Sequence, residues 1–352
     1  MIRHSASDAA QLLAIVQQFP RQGILVLADF VADEFVFGDI SRVSREAPVL
    51  ILRRREVRVL PGGGANAANN LADLGARVYP ISAVGDDAAG DTLADYFQKK
   101  KVDTTGLVRK SGWTTPAKTR FLAGWPHTTQ QQVLRVDREP DGVPTGTAEA
   151  IVRTARERIG DVSGILISDY GYGSASPEIV STIRGRRKWL SPATLDSRYR
   201  LHEFAGMGLT AATPNEAEIE AAHNTRIAGD AAKLDLCARQ TMARLKLNAL
   251  VVTRGRHGMT VFENDRTPFH IAVFGGDQSV DVTGAGDTVI AAFTLALASG
   301  ATVRQAARIA NYAGGIVVMK PSTATVTLQE LVAAIRSDAQ KDRSETEDGH
   351  AK

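Results

Sequence analysis

Four short, uninterrupted apolar segments, alternating with segments of helical periodicity, constrain the fold more than any other feature of this sequence. Strands that are covered on both faces have this pattern, as in parallel sheets. The predicted strands are 23–30, 164–170, 209–213 and 249–255, and the predicted helices are 66–74, 88–100, 147–159, 216–222 and 231–245. The alternation predicts a three-layer α/β/α domain with a mostly parallel central sheet.

Two segments in the first half of the chain depart from this alternation. Residues from about 34–60 and 113–139 alternate polar and apolar side chains without a helical period. They predict a small accessory β-sheet that covers the main domain as a lid. We expect a helical N-terminal extension over 1–22, a main domain over 23–337 and a disordered polar tail over 338–352.

Composition argues against several classes of protein. The formal net charge is only +3 on 352 residues, and no dense basic run with interleaved aromatic residues appears, so no nucleic-acid partner is expected. The single cysteine, Cys237, excludes an internal disulfide framework and a multi-cysteine zinc site, and its helical context predicts a buried thiol. No apolar run approaches the roughly 18 residues of a membrane span, and the N-terminal run is too short for a signal peptide. We therefore expect a cytoplasmic protein with no membrane partner.

The segment 281–293, DVTGAGDTVIAAF, carries the most specific chemistry. A glycine turn precedes apolar residues at helical spacing, so the turn is predicted to open a helix. Unpaired N–H groups along Gly284, Ala285 and Gly286 would hold a polyanion. Asp287 beside them would act as a general base in phosphoryl transfer. The alternative is a carboxylate that only caps the helix.

A second glycine-rich segment, 61–75 (PGGGANAANNLADLG), lacks the G-x-G-x-x-G spacing of a dinucleotide-binding turn. Gly62 and Gly63 allow a ligand to approach the backbone closely, and Asn66 opens a helix. The segment predicts a loop that binds a polyol, with a plain tight turn as the alternative.

Two carboxylates, Asp29 and Asp33, flank the end of the first predicted strand. Ligands of open α/β sheets bind at the carboxyl ends of strands. Carboxylates at this position suit paired hydrogen bonds to vicinal sugar hydroxyls. Solvation of the loop or capping of a helix is the alternative.

Two further polar segments each follow a predicted strand. In TPNEAE, Asn215 and Glu218 offer polar groups that could order water around Mg²⁺. In TRGRHG, Gly255 and Gly258 would let nucleotide phosphates lie close to the backbone.

In this order, these motifs resemble those of the ribokinase-like (PfkB) family of sugar kinases. The resemblance rests on GGGANAANNLADLG and DVTGAGDTVIAAF, with TPNEAE and TRGRHG between them, and extends over residues 24–336. It implies a ribokinase-like fold, ATP and Mg²⁺ as cofactors, and Asp287 as the general base. It also implies that the small sheet serves as a lid and as the interface of a homodimer.

The same resemblance implies a role for each polar residue of the motifs. The sugar would be held by Asp29, Asp33, Gly62, Gly63 and Asn66; the Mg²⁺ shell by Asn215 and Glu218, through water; the ATP groove by Asn215, Thr253, Gly255, Gly258, Gly284, Gly286 and Asn311; and a monovalent cation such as K⁺ near Asp281 and Thr283.

Within the family, the segments 39–49, 130–139 and 167–173 resemble kinases that phosphorylate D-glycero-D-manno-heptose 7-phosphate at the anomeric oxygen. Two positions differ from those kinases. Tyr172 replaces the lysine of their DYxKG stretch, and Arg198 replaces the lysine of their DPK stretch. A phosphorylated acceptor needs cations, and the candidates in the lid segments are Arg42, Arg45, Lys118, Arg120, Arg135 and Arg138.

Three alternatives remain open from the sequence. One is a PfkB kinase for another sugar, sugar phosphate or nucleoside, because hydroxyl-binding carboxylates do not identify one sugar. A second is a non-catalytic sugar-binding protein on the same fold, which would not need to retain both the base and the metal shell. A third, a nicotinamide-dependent dehydrogenase, is disfavoured by the glycine spacing.

Overall fold

The structure, a computed structural model, describes residues 6–124, 130–186, 188–275, 280–321 and 323–350, with the backbone alone for 6–7 and 341–350. The helices are α1 (Ala6–Val16), α2 (Gly64–Asp73), α3 (Ala88–Lys99), α4 (Thr145–Arg158), α5 (Pro177–Arg184), α6 (Glu216–His223), α7 (Ala231–Leu245), α8 (Ala285–Ala298), α9 (Val303–Val317) and α10 (Leu328–His350). The strands are β1 (Gly23–Ala28), β2 (Phe30–Val43), β3 (Leu50–Gly63), β4 (Arg77–Gly85), β5 (Leu107–Lys110), β6 (Ala117–Gly124), β7 (Gln131–Arg138), β8 (Gly164–Asp169), β9 (Ala193–Ser197), β10 (Ala211–Ala212), β11 (Ala249–Thr253), β12 (Met259–Glu263) and β13 (Phe269–Ile271).

Nine of these strands form one central sheet in the order β13-β12-β11-β10-β9-β8-β1-β4-β5. The seven strands from β11 to β5 run parallel, and β12 and β13 are antiparallel at one edge. The prediction of a mostly parallel central sheet is confirmed.

The central strand β1 is buried along its whole length because both faces of the sheet are covered. Ile24, Val26 and Ala28 contribute to a core with α1, α2, α3, α8, α9 and α10. Leu25 and Leu27 point to the opposite face, into a core with α4, α5, α6 and α7. The continuous apolar run in the sequence therefore reflects two cores on the two sides of one strand.

The remaining four strands form a separate sheet, the lid, in the order β3-β2-β6-β7. The lid begins earlier and ends later than the predicted segment 34–60, because β2 starts at Phe30 and β3 continues to Gly63. Asp33 and Gly62 are therefore lid residues, and the chain passes from the central sheet into the lid directly after Asp29. Residues 125–129 of the second lid segment lie outside the described residues.

Two expectations for local structure need correction. The strand predicted over 209–213 is reduced to Ala211–Ala212, since only these two residues pair with both β9 and β11. The tail predicted to be disordered from residue 338 instead continues α10 to His350. It extends a helix that is already packed on the core through Leu331 and Ile335.

The thiol of Cys237 is buried in α7, as predicted. Among the residues that the structure describes, no helix combines the length and the apolar character needed to cross a bilayer.

Candidate active site

Asp287 lies in the first turn of α8, with Gly284 as the residue that precedes the helix. Gly284 adopts a left-handed conformation with a φ of 79°, and a Cβ atom there would lie 2.4 Å from the Nδ2 atom of Asn66. Glycine is therefore required by the backbone conformation and by the close approach of α2. The turn holds the Asp287 side chain in the interior, where it is only 3% exposed.

Both carboxylate oxygens of Asp287 accept a hydrogen bond from the protein. Asn66 Nδ2 donates to Oδ2 at 3.0 Å, and the Tyr170 hydroxyl donates to Oδ1 at 2.9 Å. Burial raises the pKa of Asp287 to about 7, although these two hydrogen bonds favour the charged form. A carboxylate with a pKa near neutrality is suited to accept a proton from a hydroxyl.

Asn66 belongs to a short polar network between α2 and α8. Its side chain also donates to the carbonyl oxygen of Gly284 at 3.3 Å, and Asn70 Nδ2 donates to Asn66 Oδ1 at 3.2 Å. Thr288 in turn donates to Asn70 at 3.1 Å. Asn66, which the resemblance places in the sugar site, thus contacts the carboxylate of Asp287 directly.

Tyr170 is a site residue that sequence reasoning missed, since it was noted only as the end of a predicted strand and as part of the segment 167–173. It follows β8 directly, at the carboxyl end of a buried parallel strand, and this position was the available signal. Burial and the neighbouring Asp287 raise the pKa of Tyr170 well above its usual range, so its hydroxyl remains a donor.

Asp29 makes the contacts expected of a carboxylate that organises a loop. It accepts hydrogen bonds from the backbone N–H groups of Tyr170 and Tyr172, both at 2.9 Å, and of Ser174, at 2.7 Å. Burial and the nearby Asp169 raise the pKa of Asp29 to about 6. At 1% exposure, Asp29 is neither solvated nor a helix cap: its two oxygens accept these backbone hydrogen bonds and organise the loop after β8, and its role toward the sugar stays a prediction.

Asp33 connects the lid with the C-terminal part of the main domain. Its Oδ1 accepts a hydrogen bond from Arg120 of β6 at 2.8 Å, and its Oδ2 accepts one from Thr323 at 2.9 Å. A Cβ atom at Gly62 would lie 2.5 Å from the Asp33 carboxyl carbon, so the glycine makes room for this side chain. Asp33 and the Gly62–Gly63 turn lie together at the base of the lid, where the sequence predicts the sugar.

Five of the seven predicted nucleotide-binding residues, all except Asn215 and Gly284, line one groove beside the same turn of α8. The groove has a volume of about 190 Å³, and it is lined by Thr253, Gly255, Arg256, Gly258, Met259, Val273, Val282, Ala285, Gly286, Val289, Asn311, Gly314, Gly315 and Val318. A Cβ atom at Gly258 would lie 2.0 Å from the carbonyl oxygen of Ile271. Asn311 donates to the carbonyl oxygen of Ala272 at 2.9 Å and so fixes one wall of the groove.

Asn215 and Glu218 form a reciprocal capping box at the start of α6. Glu218 also lies beside Asp196, at the end of β9. Burial and the neighbouring Glu218 raise the pKa of Asp196 well above its usual range, and burial raises that of Glu218. Within the described residues, no group of three His, Cys, Asp or Glu side chains is placed to hold a metal ion. A cation beside these two carboxyl groups would favour their charged forms, which suits a hydrated metal ion.

The residues predicted for a monovalent cation lie in the loop before α8. The backbone N–H of Thr283 donates to Asp281 Oδ1 at 2.9 Å, and that of Asp281 donates to the carbonyl oxygen of Val318 at 3.1 Å. The loop is therefore tied to the end of α9, next to the nucleotide groove.

The candidate cations for an acceptor phosphate differ in their partners. Arg42 and Arg45 are exposed at the far end of the lid. Arg120 pairs with Asp33, Arg135 pairs with Asp137, and Arg138 lies 3.9 Å from Glu34. Lys118 is the buried candidate, at 7% exposure.

Comparison with protein families gives a match to the pfkB family carbohydrate kinases over residues 31–159 and 179–330. The chain belongs to this family. This family membership sets aside the nicotinamide-dependent dehydrogenase.

Among curated relatives of this pfkB-family chain is the bifunctional protein HldE of Geobacter metallireducens, which is 39% identical over 88% of this chain and 62% of the relative. The HldE protein of Mesorhizobium japonicum is 37% identical over 95% of this chain and 66% of the relative. The chain thus spans a little under two thirds of the length of these relatives.

Two solved structures show the same fold. Ribokinase from Arabidopsis thaliana, complexed with ribose and ATP, has a TM-score of 0.69 at 18% identity, covering 90% of this chain and 99% of that chain. Phosphofructokinase-2 from Escherichia coli, in complex with substrates and products, has a TM-score of 0.71 at 18% identity, covering 90% of this chain and 98% of that chain. The predicted ribokinase-like fold is confirmed.

Proposed function

We propose that this pfkB-family protein transfers the γ-phosphate of ATP to a sugar hydroxyl, with Asp287 as the general base. The observation that carries the proposal is the position of Asp287 between two compartments. Its carboxylate is buried next to the sugar-facing turn of Gly63 and Asn66, and the preceding residues Ala285 and Gly286 line the nucleotide groove. A hydroxyl at this carboxylate would face the terminal phosphate of a nucleotide in the groove.

The residues of the chain would act in the following way. Asp287, charged above a pH of about 7, accepts the proton of the acceptor hydroxyl as that oxygen attacks. The backbone N–H groups of Ala285 and Gly286, at the N-terminus of α8, stabilise negative charge on the transferred group. Asn66 and Tyr170 hold the carboxylate in one orientation.

Mg²⁺ bound to the nucleotide would neutralise phosphate charge in the transition state. Asn215 and Glu218 fit its hydrated shell, because a cation there would stabilise the charged forms of Glu218 and the adjacent Asp196, whose pKa values burial raises. Asp281 and Thr283 are the proposed neighbours of a monovalent cation such as K⁺. The nucleotide itself would lie along Thr253, Gly255, Gly258 and Asn311.

As acceptor we propose D-glycero-D-manno-heptose 7-phosphate, phosphorylated at the anomeric oxygen. The support is the resemblance of three sequence segments to heptose 7-phosphate kinases and the similarity to the HldE relatives. Tyr172 and Arg198 are the positions that differ from that group. A kinase for another sugar, sugar phosphate or nucleoside is the second candidate.

The test is a product assay with purified protein, MgATP and the heptose 7-phosphate. We expect ADP release together with a new phosphorus resonance coupled to the anomeric proton. Asp287→Asn should abolish the signal, whereas Asp95→Asn, at an exposed carboxylate of α3, should retain it. ADP release with a different sugar of a panel would replace the acceptor, and sugar binding without ADP release from any of them would favour the non-catalytic alternative.

We also propose a homodimer through the lid. The outer part of the lid exposes apolar side chains that a monomer would leave in water, among them Val49 and Leu134, each 55% exposed, beside a depression of about 560 Å³. Sedimentation should show a dimer that Leu134→Asp dissociates, whereas a monomeric native protein would contradict the proposal.

A further inference from the structure

The loop that follows β8, residues 170–174, is wrapped around two buried carboxylates. Asp29, directly after β1, accepts hydrogen bonds from three of its backbone N–H groups. Asp169, the last residue of β8, accepts one from the N–H of Gly171 at 3.1 Å. Gly171 and Gly173 have φ angles of 88° and 102°, a left-handed conformation that lets the N–H groups of the loop converge. The shape of the loop therefore depends on these two carboxylates.

Arg200, which follows β9, supplies the counter-charge. Its guanidinium donates to both oxygens of Asp169, and the hydroxyl of Ser197 donates to Asp169 Oδ2 at 2.8 Å. The side chain of Asp169 is 1% exposed and that of Arg200 is 25% exposed, so water screens the pair little. The charge of Asp169 adds to burial in raising the pKa of Asp29. Without Arg200, two buried carboxylates would therefore repel each other at the base of the loop.

Tyr170 is the first residue of this loop, and it connects the loop to Asp287. Its backbone N–H is bound by Asp29, and its hydroxyl donates to Asp287 Oδ1 at 2.9 Å. The residues before and after Tyr170 are both fixed through the Asp169 carboxylate. Among the contacts that the structure describes, none joins Arg200 to Asp287. An effect of Arg200 on Asp287 therefore has to pass through the loop.

We propose that Arg200 is a positioning residue for the transfer reaction: through Asp169 and the loop 170–174, it holds the hydroxyl of Tyr170 on Asp287. The inference rests on the proposed kinase function, in which Asp287 is the base. Without the guanidinium, the repelling carboxylates release the N–H groups of the loop and the Tyr170 hydroxyl leaves Asp287. The buried base then keeps Asn66 as its donor and holds its proton to a higher pH.

The first experiment is a double-mutant cycle on the pH dependence of kcat/KM for sugar phosphorylation. Arg200→Met should move the acid limb upward by about half a unit to one unit, which makes it about three- to tenfold slower near pH 6 and nearly equal to the native protein at the alkaline end. Tyr170→Phe has no hydroxyl to misplace, so adding Arg200→Met to it should cause no further shift. All of these variants retain the other charged groups near Asp287, which are Asp33, Asp196 and Arg198.

Two milder variants test the same contact if Arg200→Met folds poorly. Arg200→Lys keeps the charge and should recover part of the native profile, and Ser197→Ala removes one donor to Asp169 and should cause a smaller shift in the same direction. The matched control is Arg304→Met. Arg304 pairs with Glu263 at 2.7 Å at the end of β12, and its loss should leave the profile unchanged. Thermal unfolding checks that each variant retains the fold.

The second experiment observes Tyr170 without turnover. The chain contains six tyrosines, and in protein labelled with ¹³C at the phenolic carbon the signal missing from Tyr170→Phe belongs to Tyr170. Arg200→Met should move this signal toward its position in Asp287→Asn, where the hydroxyl has no carboxylate to bind. Arg304→Met should leave the signal in place.

The outcomes separate this inference from the proposed function. A moved Tyr170 signal in a protein that phosphorylates no sugar supports the positioning role and overturns the kinase proposal. Sugar phosphorylation with an unchanged acid limb in Arg200→Met keeps the kinase and overturns the positioning role. A shift of equal size with and without the Tyr170 hydroxyl would mean that the charge of Arg200 acts on Asp287 directly, and an equal loss of rate at every pH would mean a general loss of structure. Either result overturns the positioning role.

Discussion

The Tyr170→Phe variant tests whether the surroundings of Asp287 set the pH dependence of the enzyme. The substitution removes one hydroxyl and keeps the aromatic ring between Lys118 and Arg198. Asp287 then loses the donor to Oδ1 at 2.9 Å and keeps Asn66 as the donor to Oδ2. The carboxylate stays buried with one hydrogen bond fewer, so its protonated form gains in relative stability.

The expected shift follows from the energy of that hydrogen bond. A hydrogen bond to a charged group contributes about 1.5–3 kcal/mol, and about 1.36 kcal/mol corresponds to one pKa unit. An acceptor hydroxyl or water can take part of the vacated place, so we expect the lower end, a rise of about one unit above the present value of about 7. The base acts in its deprotonated form, so kcat/KM rises with pH through this pKa. The rise should therefore occur about one unit higher in the variant.

The assay is kcat/KM for sugar phosphorylation from about pH 5.5 to about pH 9.5, measured by coupled ADP release. Tyr170→Phe should be about tenfold slower than the native protein near pH 6 and nearly equal to it at the alkaline end. Tyr199→Phe is the matched control, since Tyr199 is 72% exposed and also lies against Arg198. An unchanged acid limb, or an equal loss of rate at every pH, would refute the argument that Tyr170 acts through the pKa of Asp287.

Asp287→Asn should lower kcat by about two to four orders of magnitude with little change in ATP affinity, as measured by titration with ATP. The pKa of Asp287 is raised from 3.8 to about 7 in the folded state, so the folded protein holds this proton more tightly than the unfolded chain does. The stability gained in this way at low pH is lost as the pH rises through 7. The neutral asparagine should therefore gain stability relative to the native protein by as much as about 4 kcal/mol between about pH 4 and about pH 8, and parallel melting curves would contradict this. Gly258→Ala should raise the KM for ATP with a smaller effect on that of the sugar, because its Cβ would meet the Ile271 carbonyl oxygen at 2.0 Å. The control is Gly300→Ala, because Gly300 has a φ of 89° and open space around the added carbon. Equal KM values for ATP in the two variants would show that backbone strain alone, and not the contact with Ile271, causes the effect.

Sequence reasoning predicted the parts of the site whose conformation is determined by residues adjacent in the chain. The turn at Gly284 and the helix that starts with Ala285 follow from a glycine that permits a left-handed conformation and from apolar residues at helical spacing. The glycines at 255 and 258 line the groove for the same local reason. The buried strand β1 was predictable because both of its faces are apolar. Short strands such as β9, with the sequence ATLDS, were missed because their burial comes from neighbouring strands and helices.

The sequence by itself determined the class of fold, the glycine turn and the acid at its end, since each depends on conformational preferences over a few consecutive residues. Only the tertiary structure decided what surrounds that acid. Asn66 and Tyr170 are 221 and 117 residues away from Asp287 along the chain, and packing brings them to its two oxygens. The raised pKa of Asp287 and the lowered pKa of Lys118 have the same origin. Both depend on removal from water and on which partners lie within reach, and these are properties of the folded arrangement.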